Sequence, residues 1–293
     1  VKNKKAKGIM ELLFFSGPAL LSVIMITIIP FLMNIYYSVF DWNGISKEMN
    51  FVGFNNFVRI FTKDAQFKSS FLFTLQFSII YIIVINVLAI IIANYLSESY
   101  WLSNITRAFY FLPYIISLVA ISLIWRFLLG PGFTYLYEWT GIELFGISWL
   151  GDPRYALVSV VLISVWQNMG FFMIIYIAGF MAIPNSLLEA SSIDGASKIK
   201  RFLKIKLPLL MPSVTICIFY SLTFGLKLFD IILVLTKGGP GNATRTVAFD
   251  IYNDAFLSNR YGLATAKSLI FFAVVLIVTV IQLRYFKNKE VEY

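Results

Sequence analysis

Apolar residues run almost unbroken through six stretches of the chain, at about 12–39, 71–95, 108–129, 155–181, 209–235 and 264–286. Shorter segments rich in Gly, Pro, Asn, Lys and Arg separate them. Each stretch is near the roughly twenty residues a helix needs to cross the hydrocarbon core of a bilayer. A helix also satisfies its own backbone polar groups where no water is present. The pattern therefore predicts an all-α, polytopic membrane protein with six transmembrane helices in one domain over 1–293. The first stretch follows Lys2, Lys4, Lys5 and Lys7, is too long for a signal-peptide core and lacks a small-residue cleavage site. It is expected to remain as a spanning helix, with Pro18 and Pro30 as candidate kinks.

The polar segments differ from one another. Residues 40–70 carry Asp41, Trp42, Gly44 and the aromatic cluster Phe51–Phe57, which reads as a loop with an interfacial anchor. Residues 130–154 hold Gly-Pro-Gly, Trp139, Trp149 and Asp152-Pro153 and read as a turn-rich loop. The run Thr236-Lys237-Gly238-Gly239-Pro240-Gly241 invites a phosphate-loop reading. No Gly-Lys-Ser/Thr follows it and no strand precedes it, so a tight turn is expected.

Composition agrees with the pattern. Hydrophobic residues make up 59% of the chain and charged residues 13%, with mean hydropathy +0.80, values far from those of a soluble globular domain. The net charge of +9 does not point to nucleic acid, because the basic residues are dispersed among short loops between apolar runs. With the N-terminus inside, cytoplasmic segments hold 13 Lys and Arg and external segments eight, so both termini are expected in the cytoplasm. The single cysteine, Cys217, excludes an intrachain disulfide and a cysteine metal cluster. Histidine is absent, which removes the commonest general base.

The segment at about 182–208 carries five basic residues and an internal pattern beyond charge. Leu187, Leu188, Ala190, Ser191 and Ile193 form a small and apolar face before Gly195, and Ile199, Phe202 and Leu203 resume helical spacing. Two short helices with a glycine bend are expected, and Pro208 suits the first turn of the next span. A solvated interfacial loop would have the same charge. The spacing of Glu189-Ala190-Ser191, Gly195 and Ile205-Lys206-Leu207-Pro208 is more specific. It resembles the EAA loop of ABC importer permeases, and Gly53-Phe54-Asn55-Asn56-Phe57 and LTKGGPG at 235–241 resemble phrases of the MalF-like sugar permeases. Ser191 stands where that motif usually has alanine, which preserves size.

The resemblance implies the type I ABC importer permease fold in a bacterial cytoplasmic membrane. It implies coupling to an ABC ATPase dimer through Glu189, Ala190, Ser191, Asp194, Gly195, Ala196, Ile205, Leu207 and Pro208. It also implies pairing with a second, MalG-like permease and delivery of a sugar or oligosaccharide by an extracytoplasmic solute-binding protein. The chain would then be a transport subunit and not an enzyme, binding no cofactor or metal itself, with ATP and Mg used by the partner ATPase. A non-sugar solute such as a glycerol phosphate is the alternative within this class. An ion-coupled secondary transporter is the alternative outside it, thinly supported by Asp230.

Polar groups within the spans supply candidates for the solute path. Trp166, Asn168 and Gly170 on helix four combine an aromatic plate, an amide and a small residue, which suits either a sugar or helix packing. On helix five, Thr223, Lys227 and Asp230 are candidates, with the i,i+3 charges on one helical face as either a structural pair or a cavity lining. Arg126 and Lys267 lie near span ends and are expected to snorkel to the headgroups.

Overall fold

The computed structural model describes residues 14–97 and 103–287. The lysines at 2–7, the start of the first predicted span at 12 and Lys289 lie outside the described residues. The described chain falls into two units, one of residues up to 64 together with 251–272, the other of 65–250 together with the end of the chain from 273.

The first unit begins with α1 (Phe14–Ser38), almost wholly apolar and mostly exposed within the chain, as expected for a helix facing lipid. A two-residue hairpin follows, with β1 (Phe40–Asp41) antiparallel to β2 (Asn50–Phe51), and then α2 (Asn55–Thr62). One side chain ties these elements together. The buried Asn56 donates through Nδ2 to the carbonyls of Ser38 and Phe40 at 2.9 Å each, tying the end of α1 to the hairpin. Tyr37 stacks on Trp42 at 4.7 Å between ring centroids, and Tyr261 meets both rings edge-on.

Lys267 corrects the snorkelling expectation. It is 1% exposed, and its Nζ lies 2.7 Å from Asp64 Oδ2 and 2.6 Å from Asp254 Oδ2. Arg260 pairs with the same Asp254 at 2.5 Å. Two cations and two anions thus close a charge-balanced cluster, so the lysine has no need of headgroups or solvent.

The second unit is a helical bundle built around α8 (Pro153–Met181). Pro153 opens that helix where a missing N–H costs nothing, and Asp152 caps it by accepting from Arg154 N at 2.8 Å. Most of α8 is buried, because α3 (Ala65–Leu96), α4 (Ser103–Ile115) and α11 (Met211–Leu226) all pack on it. A buried polar node joins three of these helices. Tyr176 Oη donates to Asn86 Oδ1 at 2.5 Å, and Asn86 Nδ2 donates to Ser221 Oγ at 3.1 Å and to the Ile82 carbonyl at 2.8 Å. Every polar atom brought into the apolar bundle there has a partner, which makes the node a specific lock.

Two predicted spans are interrupted. The apolar stretch 108–129 is divided at Ser117, whose backbone is extended, so that α4 stops and α5 (Leu118–Phe127) begins. Pro113 inside α4 deprives the Phe109 carbonyl of its helical donor, and the helix ends two residues beyond it, at Ile115. The stretch 209–235 is divided at Lys227–Phe229, between α11 and a short π-helical segment at Ile232–Thr236 described below. The segment 130–154 is more helical than its turn signals suggest. It holds α6 (Phe133–Thr140) and α7 (Glu143–Gly146). Short helices at α9 (Asn185–Ile193) and α10 (Lys198–Leu209) lead into α11 with a bend of 70°. The last apolar run is continuous, as α14 (Tyr261–Lys287). Among the described residues, five helices are fit by length and composition to cross a membrane, with Leu118–Thr140, which joins α5 to α6, counted as one of them, or six if the bent pair α10 and α11 counts as one span.

Candidate functional site

The two interrupted spans meet. With α12 as Ile232–Thr236, α5 and α12 pack on each other, and a cavity of about 230 Å³ opens beside the breaks. Leu118, the first residue of α5, lines it together with Tyr220, Thr223 and Phe224 from α11 and Lys227 and Asp230 from the break. Broken helices create such sites because the irregular backbone is tolerated only where it is buried in protein or lines a cavity.

The interruption also changes the relation between Lys227 and Asp230. They do not share one helical face, because Lys227 terminates α11 and two non-helical residues precede Asp230. Both are exposed, and among the described residues the two form no ion pair with each other. Their charges therefore remain available at the cavity rim.

Behind the rim lies a group of aromatic rings that the sequence pattern did not single out. Tyr114 stacks on Phe171 at 5.1 Å, Phe171 meets Tyr220 at 4.5 Å, and Tyr81 meets Phe224 at 5.0 Å. The Tyr114 and Tyr220 hydroxyls are 3.5 Å apart. These rings come from α3, α4, α8 and α11, so only tertiary structure assembles them. Tyr220 and Phe224 as apolar plates, with the hydroxyl, ammonium and carboxylate groups of Thr223, Lys227 and Asp230 beside them, can receive a ligand that has both apolar faces and many hydroxyls.

The helix-four candidates fall elsewhere. Asn168 is 2% exposed, and its Nδ2 donates to the Ser164 carbonyl at 2.9 Å and to Gln167 Oε1 at 3.2 Å. At Gly170 a Cβ would run into the backbone of Tyr110 and Phe111, so the glycine permits close packing of α4 on α8. Trp166, 42% exposed, meets Trp125 edge-on at 5.6 Å and lines a separate, largely apolar groove with Val84, Phe109 and Val161. Thr223, Lys227 and Asp230 are thus brought together, and Trp166, Asn168 and Gly170 are not brought to them. Among the described residues, no three His, Cys, Asp or Glu are placed to hold a metal ion.

The basic segment forms a stiff elbow. Gly195 has φ +72°, the left-handed conformation that ends a helix, and the amides of Asp194, Gly195 and Ala196 donate to the carbonyls of Ala190, Ser192 and Ser191. Ser197 then caps α10 by accepting from Lys200 N at 3.3 Å. Arg201 reaches back across the bend and donates to Ser192 Oγ at 2.6 Å. Lys206 Nζ donates to Asn94 Oδ1 of α3 at 3.0 Å, anchoring α10 to the bundle.

Within this elbow Glu189, Ala190, Asp194 and Pro208 are exposed, Ser191 is buried, and Ala196, Ile205 and Leu207 are half-buried. Ile193 and Ile199 are 87% and 73% exposed and leave an apolar surface with no cover from this chain.

Residues 85–289 match the family described as Binding-protein-dependent transport system inner membrane component. The chain is 36% identical, over 99% of each sequence, to the probable starch degradation products transport system permease protein AmyD of Thermoanaerobacterium thermosulfurigenes. It is 34% identical, over 95% of each, to the multiple sugar-binding transport system permease protein MsmF of Streptococcus mutans. Its fold matches a chain of a bacterial ABC transporter involved in the import of the acidic polysaccharide alginate, with a TM-score of 0.82, 21% identity and 98% of each chain covered. The chain therefore belongs to the binding-protein-dependent transport system inner membrane components, as a membrane-spanning permease subunit of an ABC importer and not its ATP-hydrolysing subunit.

Proposed function

We propose that this permease carries a sugar or oligosaccharide, received from an extracytoplasmic solute-binding protein, through the cavity at the junction of the two broken spans. The observation that carries the reading is that cavity itself, with Tyr220 and Phe224 as apolar plates and Thr223, Lys227 and Asp230 at its rim. The sugar-transport names of AmyD and MsmF support the solute class. In this reading the elbow from Glu189 to Pro208, with its exposed Ile193 and Ile199, docks on an ABC ATPase dimer that uses ATP and Mg. A second, MalG-like permease completes the path across the bacterial cytoplasmic membrane, and both termini lie in the cytoplasm. ATP-driven closure of the ATPases would move the elbow as a rigid lever, which its cap hydrogen bonds and the Arg201–Ser192 tie favour over a flexible linker.

The test is solute-stimulated ATP hydrolysis by the reconstituted complex, with neutral oligosaccharides compared against glycerol phosphate. The double variant Lys227→Met with Asp230→Leu removes both rim charges at once and leaves the net charge of the chain unchanged. It is expected to insert normally and to lose about tenfold or more in sugar uptake, the loss of one or two good polar contacts. Unchanged uptake would move the solute contacts elsewhere, and stimulation by glycerol phosphate alone would replace the sugar assignment.

A further inference from the structure

The loop that follows α12 returns to the helix break from the far side, and one hydroxyl makes the connection. Because α11 stops at Leu226, backbone carbonyls beyond it lose their helical partners. The carbonyl of the buried Leu228 accepts instead from Thr246 Oγ1, at 2.8 Å and eighteen residues along the chain. Thr246 is 0% exposed, and its Oγ1 also accepts from Phe249 N at 3.3 Å, so the same hydroxyl caps α13 (Val247–Tyr252).

The residues around Thr246 are fastened as well. Thr244 donates to Thr236 Oγ1 at the end of α12 at 2.8 Å, and Val247 N donates to Thr74 Oγ1 of α3 at 3.0 Å. Arg245 Nε and Asp250 Oδ1 form a buried pair at 2.7 Å. The return segment is thus held to α3, to the end of α12 and, through Thr246, to the break itself.

We propose that Thr246 is a positioning residue for the solute cavity. Its hydroxyl holds open the break that presents Lys227 and Asp230, and so transmits a displacement of the loop at 237–246 to the place where solute is held. The inference rests on reading that cavity as the solute site. Within a bilayer no bulk water replaces a lost hydroxyl. Without Thr246 the Leu228 carbonyl must find a partner within its own segment, and continuing α11 through the break supplies one. That would rotate Lys227 and Asp230 away from their present places on the cavity rim.

The experiment uses the assembled complex in a Cys217→Ser background. Lys227→Cys reports the break through its rate of reaction with a small soluble thiol reagent, and Ser258→Cys serves as the control. Thr246→Val keeps the shape and deletes the hydroxyl. It is expected to change the rate at Lys227→Cys by about fivefold or more, with Ser258→Cys unchanged, and with Lys227 intact to lower uptake by about tenfold. Thr246→Ser, which keeps the hydroxyl, restores both. Thr246→Ala is run in parallel, so that poor insertion of the valine variant leaves a second reading of the same bond.

The proposal is overturned if the hydroxyl-deleted variants label and transport like the unmodified chain, or if Thr246→Ser is as impaired as Thr246→Val. If Thr246→Val acts as expected while Lys227→Met with Asp230→Leu transports normally, the tie stands and the solute-site reading falls. The opposite outcome rejects the tie alone.

Discussion

The cluster around the buried Lys267 and Asp254, with the half-buried Asp64 and the exposed Arg260 at its edge, gives the most quantitative prediction. Lys267→Met removes an ammonium that lies 2.7 Å and 2.6 Å from two carboxylates and leaves both of them in an interior where Asp254 is 1% exposed. Unit charges whose centres are about 4 Å apart attract by about 4 kcal/mol at the effective dielectric near 20 that suits such sites. The variant gives up two such attractions and gains relief only from desolvating one ammonium. Breaking a buried ion cluster from one side costs about 3–5 kcal/mol, and that is the expected loss. Lys267→Met combined with Asp64→Leu leaves Arg260 with Asp254, still paired at 2.5 Å, so charge balance returns. The double variant should recover at least about 2 kcal/mol of that loss. The assay is the temperature at which each purified variant in detergent loses its monodisperse fraction, together with its abundance in membranes. Equal destabilisation of the single and double variants would mean that packing of the lysine stem, and not charge balance, holds the cluster.

Three further predictions follow from named contacts. Gly195→Val forces a β-branched residue into the left-handed conformation at a cost of about 1–2 kcal/mol and should weaken ATPase association, whereas Gly195→Asn should be tolerated; copurification with the ATPase reads both. Asn86→Leu removes the acceptor of the Tyr176 hydroxyl and the donor to Ser221 Oγ, which still donates to the Ile218 carbonyl, and should destabilise the bundle by about 1–3 kcal/mol, with Tyr176→Phe in the same chain recovering part of it in a thermal assay. In a Cys217→Ser background, Asn55→Cys and Ser258→Cys should react with an impermeant thiol reagent in intact cells and Lys200→Cys only after permeabilisation. Labelling of Lys200→Cys from outside would reverse the proposed orientation.

How far the sequence could be read depended on whether the signal was local. The apolar runs located the helices, since length and hydropathy are properties of contiguous residues, and the glycine at 195 marked a turn because few other residues adopt φ +72°. The breaks were less legible. Pro113 and the polar residues Thr223, Lys227 and Asp230 are visible in the sequence, but an apolar run with one proline is also compatible with a kinked, continuous helix. The spacing of Lys227 and Asp230 suggested a shared helical face, an inference that fails once the helix stops between them. Trp166, Asn168 and Gly170 drew attention by chemistry, whereas Tyr114, Phe171 and Tyr220 looked like ordinary apolar filling. That Tyr114, Phe171 and Tyr220 meet, and that Tyr220 reaches the cavity, is set by how α4, α8 and α11 pack, and no spacing along the chain encodes that. Lys267 was misplaced for the same reason, its partners at 64 and 254 being remote or separated by an irregular segment.

The proposed function requires that solute cross through this chain at the expense of ATP hydrolysed on partner subunits. The direct measurement is uptake of labelled oligosaccharide into proteoliposomes containing this permease, its second permease and the ATPase, with the binding protein outside and ATP enclosed. Uptake should require enclosed ATP, the binding protein and an intact elbow, and it should persist when proton and sodium gradients are collapsed. Uptake that continues without ATP or the ATPase and stops when an ion gradient is removed would contradict the account.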